Sequence, residues 1–279
     1  MQEELPISLR VSCDPAEVEK VLVRFLRDYA ATSGRRSYVV GLSGGLDSAV
    51  SAALAARALG PDRVHPLVLP ENSTPRHDLE DAALVARHLG LVTETISIQP
   101  LVDGFAATVR GADRAQIGNA KARFRMVLLH AHAAQRGGLV LGTGNKSEIL
   151  TGYFSKYGDG GVDLQPLGDL YKTQVRQLAQ HLGLPDGVIL KAPTAGLWQG
   201  QTDEKELGIT YDNLDRILLG LEIKLAPQTI AEVVGTSVSE VERIERLRAS
   251  TQHKRHMPLI PKVGLRNAGL DWRSAVLEG

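Results

Sequence analysis

Ser37-Tyr38-Val39-Val40-Gly41-Leu42-Ser43-Gly44-Gly45-Leu46-Asp47-Ser48 is the stretch from which the fold can be read. Its first half is a short apolar run rich in β-forming residues, which predicts a buried strand. From Leu46 to Leu59 the pattern predicts a helix. Two glycines lie at the junction. They let the backbone bend so that successive N–H groups converge, and the helix N-terminus behind them adds positive potential. Such a turn is a cradle for phosphate. It is not a Walker A loop, because the Gly-Lys-[Ser/Thr] ending is missing and Asp47 stands in its place. An aspartate beside phosphates makes sense if it holds Mg²⁺, which takes carboxylate and phosphate oxygens together. The plain alternative is a glycine-rich turn in which Ser43 or Asp47 merely caps a helix. The full pattern Ser-Gly-Gly-x-Asp-Ser after a buried strand argues against it.

Outward from this turn the chain alternates. Upstream, Asp14, Pro15 and Glu17 form a helix-start signature, followed by Val18, Val21, Leu22, Phe25, Leu26 and Tyr29 at helical spacing. Downstream, Arg63 to Leu69 is predicted as strand, Asp78 to Leu89 as helix, Val92 to Ile98 as strand, Arg114 to Gln135 as a long helix and Gly138 to Gly142 as strand. Strands separated by helices predict right-handed βαβ units on a doubly wound parallel α/β sheet, with ligands beyond the carboxyl ends of the strands. That rule selects the loops 43–48, 70–77 and 143–163. Glycine is dense from Gly152 to Gly168, and no helical or strand period is sustained there. A second irregular stretch, Ala192 to Asp203, carries an exposed-looking Trp198 and suits a lid over a ligand. Helices are predicted at roughly 172–183, 210–220, 227–234 and 238–249. The expected organisation is one domain over 1–279, with the sheet core at about 15–190 and the lid and a small helical section after it.

Composition removes several classes. With 32 Lys plus Arg against 32 Asp plus Glu the formal net charge is zero, so no global field draws the chain to nucleic acid or anionic membrane. Hydrophobic residues make up 43 %, enough for a sizeable core. One cysteine, Cys13, excludes an internal disulfide and a cysteine-rich metal site, and it is read as inert. The N-terminus has no signal-peptide layout, and no run reaches the roughly 18 apolar residues of a membrane span. A soluble cytoplasmic protein is expected. His130 and His132, two apart on a helix, point to different faces and make no metal pair.

The 43–48 motif resembles the PP-loop of ATP pyrophosphatases, enzymes that split ATP between its α- and β-phosphates. It names a reaction class and no substrate. The substrate comes from GTGNKSEILTGYFSKYGDGGVDLQPLGDLYKTQVRQLA at 142–179, KARFRM at 121–126, APTAGLWQGQTDEKELGITYD at 192–212 and HKR at 253–255. Together they closely resemble ammonia-dependent NAD synthetases, over about residues 20–260. The resemblance implies a Rossmann-like fold of the adenine nucleotide alpha hydrolase type. It implies that Gly41, Leu42, Ser43, Gly44, Gly45, Leu46, Asp47, Ser48, Thr143, Lys172 and Thr194 bind ATP. Asp47 and Glu148 would hold Mg²⁺, although Thr143 and Glu148 taken alone read as an ordinary cap and a first-turn acid. Arg123, Lys156, Asp163, His253 and Lys254 match positions that bind deamido-NAD. Asp47, Lys172 and Asp159 are the catalytic candidates. Asp159, in Tyr157-Gly158-Asp159-Gly160-Gly161, would hold ammonium or take a proton from it, with a turn-forming Asp-Gly as the alternative. Pro70 to Arg76 departs from the family's Arg-Leu-Pro-x-Gly version, so adenosine contacts from that loop are not carried over.

The implied reaction amidates deamido-NAD with ammonia through an adenylate, releasing AMP and pyrophosphate. Glutamine-dependent relatives carry an added glutaminase with a nucleophilic cysteine. Cys13 has no such setting, so free ammonia is the expected donor. A homodimer is implied by the family. The rivals are a GMP-synthetase-like or tRNA-thiolating enzyme, a nucleotide-sensing module, and a DNA-binding regulator suggested by a helix-turn-helix outline at 230–250. Thiolation usually needs more cysteines. A GMP synthetase leaves KYGDGG and HKR unexplained. The would-be recognition helix carries Glu240, Glu242 and Glu245, which would face phosphates.

Overall fold

The computed structural model describes residues 9–198 and 200–266. The phosphate-type turn sits where the sequence placed it, between β1 (Tyr38–Gly41) and α2 (Leu46–Leu59). Around it β2 (Val64–Val68), β3 (Glu94–Thr95) and β4 (Leu139–Leu141) complete a parallel sheet in the order β3-β2-β1-β4. Tyr38 stands opposite Val64 on one side and Leu139 on the other, so β1 is central. A single parallel bridge between Leu141 and Leu164 extends the sheet beyond β4.

Helices cover both faces. On one lie α1 (Pro15–Thr32), α2, α3 (Arg76–His88) and α7 (Lys172–His181), around an apolar cluster that includes Leu26, Val50, Leu54, Val85 and Leu178. On the other lie α4 (Gln99–Thr108) and α5 (Arg114–Gln135), over Val39, Leu67, Val140, Met126 and Leu129. Both faces of β1 are therefore buried, which is why Tyr38, Val39 and Val40 read as a continuous apolar run. Helix α2 is packed between sheet, α1 and α7, and eleven of its fourteen residues are buried, many of them alanine. Small side chains let three neighbours approach it closely.

The doubly wound parallel sheet matches the expectation, with two differences. The strand expected at Val92–Ile98 shrinks to Glu94–Thr95. It is an edge strand with one partner, and Val92 is 89 % exposed. The pairing continues as separate bonds, with Ile96 and Ile98 N–H donating to Val68 and Pro70 carbonyls at 2.9 Å. Helix α4 was not expected. It begins at Gln99-Pro100, a start that suits proline, and Gly104 in its middle hides the helical pattern.

After β4 come the short α6 (Lys146–Thr151), an irregular passage to Tyr171, α8 (Asp186–Ile189) and α9 (Asp203–Leu207). Then α10 (Tyr211–Glu222), α11 (Pro227–Val234) and α12 (Val238–Ser250) build a third apolar cluster on Leu214, Ile217, Ile230, Val241 and Ile244. The helix-turn-helix outline is thus a packing hairpin: its apolar face lies on α10, and Glu240 and Glu242 pair with Arg243 and Arg246. Among the described residues no helix is long and apolar enough to cross a membrane.

Candidate active site

One cavity of about 450 Å³ opens at the carboxyl ends of β1, β2 and β4. Its floor is the 43–48 turn. Gly44 has φ +77°, and a Cβ there would lie 2.2 Å from the Asp78 carbonyl oxygen, so both backbone shape and packing demand glycine. Gly45 precedes α2 with no side-chain cap, which leaves the first-turn amides of that helix facing the cavity without a capping group. Ser48 turns inward instead: its hydroxyl donates to the Gly45 carbonyl and accepts from the Ser43 amide. Gly41, Leu42, Ser43, Gly45, Leu46, Asp47 and Ser48 line the cavity, whereas Gly44 backs against α3.

Asp47, in the first turn of α2, points across to α7. Its carboxylate accepts from the Lys172 ammonium and, at 3.0 Å, from the Asn145 side-chain amide. Glu148 stands 3.5 Å from the same ammonium. Asn145 organises this corner. It is fully buried, and with Glu148 it forms a reciprocal capping box at the start of α6. Burial and the Asp47 charge push the Glu148 carboxyl up to about 8. Burial alone would lower Lys172, but Asp47 and Glu148 outweigh it and raise it. Lys172 is itself fixed from behind. Asp215, buried on α10, accepts from the Ser147 hydroxyl and from the Thr173 amide and hydroxyl, and Ser147 accepts from the Lys172 amide. That is how the C-terminal helices reach the site.

Asp47 and Glu148 already converge on one cation, the Lys172 ammonium. Two carboxylates suit Mg²⁺, and the uncapped helix N-terminus suits the phosphate oxygens that, with water, would complete its shell. No cluster of three or more potential metal-ligating side chains is found among the described residues.

Asp159 also lines the cavity; it is exposed, and its carboxylate accepts from the Ser155 amide at 2.8 Å. The protein around it raises its pKa, while the Lys254 and Arg125 charges oppose the rise. Lys254 donates to the Gly152 and Phe154 carbonyls and lines the cavity with Thr143 and Thr194. Outside it, around a shallower depression, lie Arg123, bonded to the Lys156 carbonyl, and Lys156, whose ammonium donates to the His253 carbonyl. Asp163 lies apart from both. One of its oxygens accepts from the Val140 amide at 2.7 Å, clamping the chain to β4, and the residue is exposed.

Residues 191–198, together with Gln201 and Asp203, line another side of the cavity. Trp198 is not exposed as expected: the Arg114 guanidinium lies 4.5 Å from its ring centre, and α5 approaches it at Gly118. The buried Lys121 joins this side to the 70–77 loop, donating to Glu71 at 2.9 Å and to the Leu197 carbonyl at 3.0 Å. Lys191 pairs with Asp78 and Asp81 beside the floor turn. Asn145, Lys121, Asp215 and Asp203 were not singled out in the sequence. The Asn-x-x-Glu spacing of the capping box was the one local signal that could have found any of them.

The model of the NAD synthase family matches residues 18–258. The chain belongs to the NAD synthase family. The NH3-dependent NAD⁺ synthetase of Methanosarcina mazei is 45 % identical over 254 residues, 90 % of this chain and 99 % of the relative. Among solved structures, one described as the NMN synthetase of Francisella tularensis superimposes with a TM-score of 0.80 at 39 % identity, covering 89 % of this chain and 99 % of the other. The NH3-dependent NAD synthetase of Campylobacter jejuni gives 0.76 at 30 % identity, covering 90 % and 100 %. This NAD synthase chain therefore shares its sequence and its fold with those proteins along nearly their whole length.

Proposed function

We propose that this chain makes NAD by ATP-dependent amidation of deamido-NAD with ammonia, and that the cavity is where both half-reactions occur. The observation that carries the reading is the meeting of Asp47, Glu148 and Lys172 beside the uncapped N-terminus of α2, in a cavity that Asp159 also lines.

The triphosphate of ATP rests on the amides of the 43–48 turn, with Thr143 and Thr194 at its sides. The nicotinate carboxylate attacks the α-phosphorus, the bond from that phosphorus to the bridging oxygen breaks, and pyrophosphate leaves. Lys172 sits where negative charge grows on the departing group, an electrostatic contribution that needs no protein nucleophile. Mg²⁺ held by Asp47 and Glu148 would neutralise further charge on the phosphates. Ammonia then attacks the acyl carbon and AMP departs with its bonding electron pair. Asp159 orients the incoming nitrogen and accepts a proton from it; the surrounding protein raises its pKa, which favours that exchange. The cover anchored by Lys121 and Trp198 keeps water from the mixed anhydride.

Arg123, Lys156, His253 and Lys254 take the pyrophosphate and adenylyl portion of deamido-NAD, and the free oxygen of Asp163 suits a ribose hydroxyl. Exposed Val127 and Tyr157 on the same side support a second copy of the chain closing over that portion, as a homodimer. Residues 9–266 act as one catalytic unit.

The test is NAD formation from deamido-NAD, ATP, Mg²⁺ and ammonium, with each component omitted in turn. Nicotinate mononucleotide is assayed in parallel, because the Francisella relative is described as an NMN synthetase. A higher kcat/KM for the mononucleotide would reassign the substrate while leaving the chemistry in place.

A further inference from the structure

Asp203, the first residue of α9, closes the cover loop. It is 3 % exposed and lines the cavity. One carboxylate oxygen accepts from the Tyr211 hydroxyl at 3.1 Å. The other, Oδ1, is buried with no hydrogen-bond partner among the described residues, because the neighbouring Tyr153 hydroxyl donates to Glu206 at 2.6 Å instead. A buried acceptor without a donor is costly, so such an atom is expected to be filled in some working state of the protein.

The donor that fits is at hand. Lys172 carries three N–H groups and uses two of them on Asp47 and Glu148. Its ammonium lies 5.3 Å from the centre of the Tyr211 ring, and the hydroxyl of that same ring is bound to Asp203. The aromatic face is thus a bridge between the two carboxylate positions, attractive to a cation along its length. Asp47 and Glu148 cannot serve Lys172 fully and a divalent cation at the same time.

We propose that Asp203 is the second seat of the Lys172 ammonium, which it takes when Asp47 and Glu148 turn to a divalent cation. Lys172 moves across the face of Tyr211, Oδ1 gains its donor, and the ammonium stays beside the phosphates. Asp203 is then a positioning residue. Its amide is held by the Pro193 carbonyl at 3.1 Å, across the neck of the cover loop, so cation binding and the seating of that loop are coupled. The inference rests on Asp47 and Glu148 being the Mg²⁺ ligands.

The experiment measures binding of Mn²⁺ alone to the full chain, from the electron paramagnetic resonance signal of the free ion. Wild type, Asp47→Asn, Asp203→Asn, Lys172→Met and the Asp203→Asn/Lys172→Met double variant are compared, with circular dichroism confirming the fold. Lys172→Gln substitutes should Lys172→Met unfold. Asp203→Asn is expected to weaken Mn²⁺ binding about tenfold in the wild-type background. Lys172→Met is expected to tighten it, and in that background Asp203→Asn should have no further effect, because the lysine it seats is gone. Equal weakening in both backgrounds would make Asp203 a direct ligand, and no weakening in either would leave it structural; both overturn the proposal. If wild type binds Mn²⁺ no better than Asp47→Asn, the metal-site reading itself fails, an outcome distinct from the other two.

Discussion

The floor of the cavity and the depression outside it are built differently. At the first the charged groups, Asp47, Glu148 and Lys172, are mostly buried and hold one another, on helices whose starts are set by the sheet edge and by Asp215. In the depression outside the cavity Arg123 and His253 are exposed, and the Arg123 and Lys156 cations bond to main-chain carbonyls. The first is held by protein partners, so its charges can be aimed at charge that develops during reaction with only the Lys172 ammonium changing its seat. The second is adaptable and suits ground-state binding. Losses at the first should appear in kcat, and losses at the second in KM.

That contrast can be broken by measurement. Lys172→Met should cut kcat/KM by about a thousandfold, the scale of removing a group aimed at transition-state charge, and a loss below tenfold would place the lysine outside the chemistry. Asp159→Asn should lower kcat at saturating ammonium by about a hundredfold. A turnover near that of wild type would leave Asp159 a turn residue. Arg123→Ala should raise the KM for deamido-NAD about tenfold with little change in kcat, as expected for an exposed phosphate contact. If kcat falls instead, the two regions are not distinct in the way described.

The smallest effect concerns stability. Glu148 is raised to about 8 by burial and by the Asp47 charge, above the roughly 4.3 of an unfolded glutamate. Between those values the folded chain holds the extra proton, so this group's contribution to stability is present at low pH and is lost as the pH rises through the window. In metal-free buffer Glu148→Gln should melt a few °C, roughly, above wild type near pH 8, with a smaller gap at about pH 5. An equal gap at both would mean that Glu148 is ionised throughout.

Legibility in the sequence followed the range of the interactions. The strand–turn–helix at 37–59 was readable because strand run, glycines and helix start are consecutive, and the capping signature at Asp14 is equally local, whereas the cap read at Thr143 belongs to Asn145. The edge strand at Glu94 was overread, since its apolar residues satisfy a strand pattern while one side has no partner. Trp198 was misjudged because glycines around it suggest exposure, and nothing nearby announces that Arg114 will cover it.

The sequence by itself determined the parallel α/β sheet, the phosphate-type turn and the family's chemistry. Each rests on a period or motif within a few dozen residues, where backbone geometry and side-chain spacing are set by neighbours in the chain. Tertiary structure alone decided that Asp215 steadies Lys172, that Lys121 joins Leu197 to the 70–77 loop, and that Asp203 lines the same cavity as the lysine of a distant helix. The physical reason is that a buried charge is defined by what surrounds it. Its partners come from whichever elements packing brings within a few ångströms, and separation along the chain does not record that distance.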